Sequence, residues 1–258
     1  MASLENSNWT ILTLVHNEAG AIEEVVREIH GEILTRLPGS ELVVVEDGST
    51  DGTKEILGRL REELDFRLLS ETGKQGYTAA LRRGLADASG RADFIFFTDS
   101  DGQHDQADFW KLNALIGESD MVIGVKEHRQ DSWFRNNISR GMNRLLVPLL
   151  FKVRLKDINC GFRAMRPEVA EFLLGEEWRF RDCVFAELTL RAARAGFRIA
   201  ETPVNHSIRR SGTSSGLPAK KMPIILSRIV RNFFRLRREF SRKPPETLPR
   251  NPRTGYRS

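Results

Sequence analysis

Phe94-Ile-Phe-Phe-Thr-Asp-Ser-Asp-Gly-Gln-His-Asp105 decides how this chain folds and where it works. Its apolar opening has the continuity of a strand buried on both faces, and it breaks abruptly at Asp99-Ser-Asp101. Two carboxylates one residue apart at a strand end, splayed into a loop, can hold one hard divalent cation. A cation placed there commonly serves a bound phosphate, bridging its oxygens and neutralising charge as it develops. The spacing excludes a calcium loop of the EF-hand kind. Counted from Asp99, its sixth position is His104 instead of Gly and its twelfth is Trp110 instead of Glu.

Working upstream, Thr10–Val15 reads as a short buried strand that ends at His16-Asn-Glu-Ala-Gly20. Glu41–Glu46 reads as a second, running into Asp47-Gly-Ser-Thr-Asp-Gly52, and 66–69 as a third, weaker one. Helical periodicity covers 21–37, 53–64 and 76–88 between them. Strands alternating with helices of this length imply right-handed βαβ units and a mostly parallel sheet. Ligands of such sheets gather at the carboxyl ends of the strands. His16–Gly20, Asp47–Gly52 and Asp99–Asp105 would all meet on that edge.

Three flanking segments bear on ligands. Asp47-Gly-Ser-Thr-Asp-Gly52 is either an Asx-rich turn capping the next helix or a place where a carboxylate accepts from a base N–H or a ribose hydroxyl. It too fails as a calcium loop, with Gly58 at position 12. Gly73-Lys-Gln-Gly76 is either a plain turn or a cradle of backbone N–H groups for a phosphate. His206-Ser-Ile-Arg-Arg-Ser-Gly-Thr-Ser-Ser215 is either a solvated basic loop or a lid whose Arg209 closes over a diphosphate.

Beyond residue 120 the pattern loosens. Met121–Gly124 reads as a strand, and 135–151 is apolar along one face, with Pro148 expected to kink or end it. A helix is expected around Val184–Ala195, and the chain beyond Pro244 is expected to be disordered. On a helical wheel, Met222, Ile225, Leu226, Ile229, Val230, Phe233, Leu236 and Phe240 share one face. Arg228, Arg231, Arg235, Arg238 and Arg242 share the other. Such a helix either docks on the domain or lies on anionic lipid. It lacks the aromatic interleaving of a base-stacking surface, which argues against a nucleic-acid partner.

The composition suits these readings. Of 258 residues, 40% are apolar and 29% charged, enough for one sizeable α/β core in a soluble chain. The two cysteines, Cys160 and Cys183, have no metal-ligand spacing and suggest no disulfide scaffold. The start lacks the basic-then-apolar order of a signal peptide, and no window has the length of an uncharged spanning helix. A cytoplasmic protein is expected. The net charge of +5 hides an asymmetry: residues 220–258 carry 12 Lys and Arg against 2 Asp and Glu. The rest of the chain is net acidic, so the C-terminal part is the natural contact for an anionic surface.

Taken in order, Leu14-Val-His-Asn-Glu18, Val45-Glu-Asp-Gly-Ser-Thr-Asp-Gly-Thr53, Thr98–Asp105, Gly161-Phe-Arg163 and His206-x-x-Arg209-x-x-Gly212-x-Ser214 resemble family 2 glycosyltransferases. The chain is similar in particular to the dolichol-phosphate mannose synthase and polyprenyl-phosphate glycosyltransferase branch, over roughly 9–216. The resemblance implies a GT-A fold, Rossmann-like, with a mostly parallel sheet and flanking helices. It also implies a nucleoside-diphosphate sugar donor (GDP- or UDP-linked), Mg2+ or Mn2+, and inversion at the anomeric carbon. Carried over onto this sequence, Val15, Asn17, Glu18, Asp47, Gly76, Asp99, Ser100 and Gln103 would bind the donor, and Asp99, Asp101 and Gln103 the metal. Asp101 and Arg209 would be catalytic, while Lys126, Arg135 and Ser139 would meet the acceptor phosphate. Glu46 stands where the family more often has Asp, and Lys126 where this branch tends to carry Arg.

The expected protein is a GT-A domain over 1–216, an amphipathic basic helix over 217–243 and a tail over 244–258. Its expected activity is metal-dependent transfer of a hexose, of mannose or glucose type, to a polyprenyl phosphate at the cytoplasmic membrane face, with peripheral membrane association. A hydroxyl acceptor is the alternative; it would need an Asp base, and Asp157 is the candidate.

Overall fold

A computed structural model describes residues 7–127, 141–207 and 222–242. Among the described residues, seven strands form one sheet: β1 (Trp9–Val15), β2 (Glu41–Glu46), β3 (Arg67–Ser70), β4 (Phe94–Asp99), β5 (Met121–Glu127), β6 (Arg163–Met165) and β7 (Ile199–Asn205). Their spatial order is β3-β2-β1-β4-β6-β5-β7. Every pairing is parallel except those of β6, which runs antiparallel to both β4 and β5. The α/β expectation therefore holds, with one reversed strand that the sequence did not reveal.

Four helices follow the first strands: α1 (Ile22–Glu32), α2 (Thr53–Glu63), α3 (Tyr77–Ser89) and α4 (Phe109–Ile116). The 21–37 helix is shorter than expected, since α1 ends at Glu32 and Leu34–Arg36 tightens into a 3-10 turn. β1 and β4 are the centre of the main core, and both are buried along nearly their whole length. Trp9 stacks on Phe94 at 4.9 Å and meets the edge of Phe109 at 4.8 Å. Continuous apolar strands are what a sheet covered on both faces requires.

Later in the chain, a π-helical turn at Met142–Leu146 runs into α5 (Val147–Phe151). Pro148 thus does not end this helix. It occupies the first turn of α5, where its missing N–H costs little, directly after the widened turn. α6 (Pro167–Gly175), α7 (Val184–Arg194) and α8 (Met222–Arg242) complete the chain's described elements.

α8 settles one open choice. Ile225, Ile229, Phe233 and Leu236 are buried in a second core with Val147, Ile158, Phe180, Cys183, Ala186 and Leu190. Phe233 meets Phe151 and Phe180 edge-on, at 5.9 and 5.3 Å. At its far end, Glu239 bonds the buried Arg191 at 2.9 Å and Arg194 lies over the Phe240 ring at 4.2 Å. Four members of the apolar stripe thus pack on the protein, the docking alternative. Among the described residues, no helix is long and apolar enough to cross a membrane.

Candidate active site

The carboxyl ends of β1, β2 and β4 lie side by side, with Val15 in register with Glu46 and Leu14 with Asp99. Beyond them opens a pocket of about 230 Å³ lined by Leu14, Val15, His16, Glu18, Asp47, Lys74, Tyr77, Ala80, Asp99, Ser100 and Asp101. The edge deduced from strand order is thus a real concavity. Six of the expected site residues, Val15, Glu18, Asp47, Asp99, Ser100 and Asp101, line it together.

Its first wall is the β2 turn. Glu46, fully buried, accepts from the Ser49 N–H and, at 2.9 Å, from the Ser70 hydroxyl, with Lys54 at 3.6 Å. Burial opposes its charge, but these donors and the lysine hold its carboxyl below the usual range. Asn17, at a positive φ of 57°, donates its N–H to Ser49 and accepts from the Thr50 N–H, which ties the β1 end to this turn. Gly48 has φ +68°, and a Cβ there would lie 2.4 Å from the Gly73 backbone. Only glycine lets the two loops touch.

Asp47 uses that contact. Its carboxylate accepts from the N–H groups of Gln75 at 2.6 Å and Gly76 at 2.9 Å. Those N–H groups, one reading of which was a phosphate cradle, are directed at Asp47. The loop they anchor brings Lys74 and Tyr77 into the pocket; Lys74 lies in the Gly73–Gly76 segment, and Tyr77 is a residue that no motif had singled out.

The second wall is the acidic pair. Burial first, and the Asp101 carboxylate next, push Asp99 up to about 6, against the opposing charges of Lys126 and Arg163. Burial of the Tyr77 hydroxyl and the charge of Asp99 beside it drive the phenol well above its ordinary range. His104 stands 3.8 Å from Asp99 without forming an ion pair, because burial, Lys126 and His206 keep its ring neutral. It stacks on Phe162 at 4.8 Å and meets His206 edge-on at 5.1 Å.

Behind Asp99 lies β6. The reversed strand delivers Gly161 so close that a Cβ there would sit 2.7 Å from Asp99 Oδ2. Arg163 is fully buried and donates to the carbonyls of Ile158 and Cys160 and to the Thr189 hydroxyl, with Phe185 beneath it at 4.3 Å. It holds the 158–163 turn in place and lends positive charge near Asp99. Gly161→Ala should move the Asp99 carboxylate while leaving the core untouched. We expect transfer to fall about 10- to 100-fold with little change in unfolding midpoint, checked by steady-state assay beside thermal denaturation.

Gln103 links the pair to the end of the sheet. Its N–H bonds Asp101 at 3.1 Å, and its side-chain amide donates to the Ser207 carbonyl at 3.0 Å. The Ser207 N–H returns a bond to the Gln103 carbonyl at 2.8 Å. The acidic loop is thereby fastened to the root of the segment that carries Arg209. Arg209, Arg135 and Ser139 lie outside the described residues. Lys126 projects its charge onto Asp99, His104 and Cys160. Asp157 is only 3% exposed, is not among the pocket-lining residues, and sits on a backbone held by Glu201.

Among the described residues, no group of three His, Cys, Asp or Glu side chains could hold a metal ion. Of the three expected metal ligands, the Asp99 and Asp101 carboxylates meet in the pocket, while the Gln103 side-chain amide is turned to Ser207. Such a pair fits a hard cation that shares its coordination with substrate phosphates and water.

Comparison with known proteins agrees with this geometry. The chain is 27% identical over 239 residues to dodecaprenyl-phosphate galacturonate synthase of Rhizobium johnstonii, covering 90% of this chain and 68% of that one. It is 28% identical over 208 residues to undecaprenyl-phosphate 4-deoxy-4-formamido-L-arabinose transferase of Salmonella paratyphi A, covering 80% of this chain and 61% of that one. It therefore spans less than two thirds of the length of the second relative. Among solved structures, glucosyl-3-phosphoglycerate synthase of Mycobacterium tuberculosis, with Mn2+, UDP and glucosyl-3-phosphoglycerate bound, superposes with a TM-score of 0.68. That match has 20% identity and covers 91% of this chain and 81% of the other, so the two share the GT-A fold. The model of the family described as "Glycosyl transferase family 2" matches residues 10–173, more than half of the chain. By this match the chain is a glycosyltransferase and belongs to glycosyl transferase family 2.

Proposed function

We propose that this enzyme moves a hexose from a nucleoside-diphosphate sugar to a polyprenyl phosphate at a membrane surface. The observation that carries the reading is the meeting of Asp47, Glu18, Lys74, Tyr77 and the Asp99–Asp101 pair in one pocket at the carboxyl edge. The acceptor class is supported by two relatives named for polyprenyl-phosphate acceptors, although those two differ in sugar.

In this reading Glu18 and Asp47 hold the nucleoside, and Asp99, Asp101 and Gln103 hold Mg2+ or Mn2+. The chemistry such a cation supplies is neutralisation of charge on the departing diphosphate. Tyr77 and Lys126 orient Asp99, and Gln103 keeps the acidic loop in step with the segment bearing Arg209. Arg209 is proposed to engage the leaving diphosphate with its planar fork, and Lys126, Arg135 and Ser139 to hold the acceptor phosphate.

A phosphate oxygen is already anionic near neutral pH, so the acceptor needs position more than a base. The burial of Asp157 away from the pocket supports this choice over a hydroxyl acceptor, which would need that carboxylate accessible. Leu145 and Leu149, one helical turn apart and 73% and 79% exposed, are apolar surface suited to a bilayer, where a prenyl chain resides.

A panel of UDP- and GDP-sugars offered with polyprenyl phosphate tests the reading. Transfer to the lipid phosphate that stops in chelator is expected. Transfer to hydroxyl acceptors alone would overturn the acceptor class, and undiminished turnover in chelator would overturn the cation.

A further inference from the structure

Among the described residues, a larger concavity lies beside the donor pocket. A cleft of about 1090 Å³ runs between the loop 177–181, the start of α3 and the polar face of α8. Six arginines and two glutamates are among its lining residues. Both glutamates are already ion-paired: Arg179 pairs with Glu177 at 2.7 Å and with Glu239 at 3.1 Å, and the buried Arg191 also takes Glu239 at 2.9 Å. Arg82 is fixed as a wall, donating to the carbonyls of Leu174 and Glu176 with its guanidinium 4.7 Å from the Trp178 ring centroid.

That leaves Arg181, Arg235, Arg238 and Arg242, whose guanidinium groups have no ion pair or hydrogen bond to any described residue. The last three are spaced three and four residues apart, so they share one face of α8, which the burial of Phe233 and Leu236 turns toward the cleft mouth. Four guanidinium groups without ion-pair partners around one concavity repel one another, and an anion among them relieves that repulsion. Their forked donors match phosphate oxygens.

We propose that this cleft is an anion site for a phosphate group, separate from the donor pocket and built by Arg181, Arg235, Arg238 and Arg242. The phosphate is borne either by a lipid headgroup or by a soluble compound. Tyr77 lines both the cleft and the donor pocket, so the two sites share a wall. The inference does not rest on the acceptor assigned above, because binding here is measured without turnover.

The test uses the full chain in chelator, so that no cation draws phosphate to the Asp99–Asp101 pair. Inorganic pyrophosphate is titrated by calorimetry. In parallel, the protein is sedimented with vesicles of phosphatidylcholine alone or doped with phosphatidylglycerol. Arg235→Ala with Arg238→Ala is compared with Arg231→Ala plus Arg237→Ala, exposed α8 arginines outside the cleft lining. The cleft pair should lose about tenfold or more in affinity for the anion it serves, and the control pair little. Loss confined to pyrophosphate identifies a soluble ligand; loss confined to, or shared with, phosphatidylglycerol vesicles identifies a headgroup. Equal losses in the two pairs, or no loss in the cleft pair, overturn the site. Should the alanine pair unfold, Arg235→Lys with Arg238→Lys keeps the charge and still predicts a several-fold weakening, because the forked contact is gone.

Discussion

Asp101→Asn is expected to abolish sugar transfer while leaving the fold intact. The substitution removes one of two carboxylates at the end of β4, where the pair is partly open to the pocket and belongs to no packed core. Electrostatic stabilisation of a departing diphosphate by a cation contributes several kcal/mol. Loss of about 4 kcal/mol corresponds to roughly a thousandfold in turnover. The Asn amide can still accept from the Gln103 N–H, so the loop and its link to Ser207 should persist. Turnover measured beside a thermal melt reads both quantities. Turnover near that of the unaltered protein would remove the cation from the mechanism, and a collapsed melt would make Asp101 structural.

Removing α8 should unfold the protein. Four of its large side chains, Ile225, Ile229, Phe233 and Leu236, are buried against Val147, Ile158, Phe180 and Leu190. Full burial of such side chains stabilises by about 1.5–3 kcal/mol each, an upper estimate because the unfolded chain already covers part of this area. The total of about 6–12 kcal/mol approaches the whole stability of an ordinary domain. Deletion would also leave Arg191 without Glu239, beside Glu187 and Glu176. A chain ending at residue 221 should therefore aggregate, read as loss of a cooperative melt and of a monomer peak in gel filtration. Phe233→Ala alone should cost about 3–5 kcal/mol. A well-folded truncated domain would show that the second core is dispensable and return the apolar stripe to lipid.

The sequence by itself determined the sheet and the edge where the chemistry gathers. Phe94–Asp99 and Glu41–Glu46 announce buried strands by continuous apolar runs, and their ends announce ligands by carboxylates, because both signals are local. Asp99, Asp101 and Asp47 were legible for that reason. What pairs with what was not local. β6 is three residues long, too short for any period to show, and its reversed place between β4 and β5 is set by packing. With it came the approach of Gly161 to Asp99, which no spacing could reveal. Lys74 and Tyr77 entered the pocket because Asp47 captures the backbone of the next loop, a bond between residues nearly thirty positions apart. The α8 stripe shows the sharpest division. A helical wheel records only that one face is apolar, and a protein core and a bilayer ask for the same face. Only the tertiary structure, by exposing Val147, Ile158 and Phe180 on the surface that α8 covers, decided which of the two it meets.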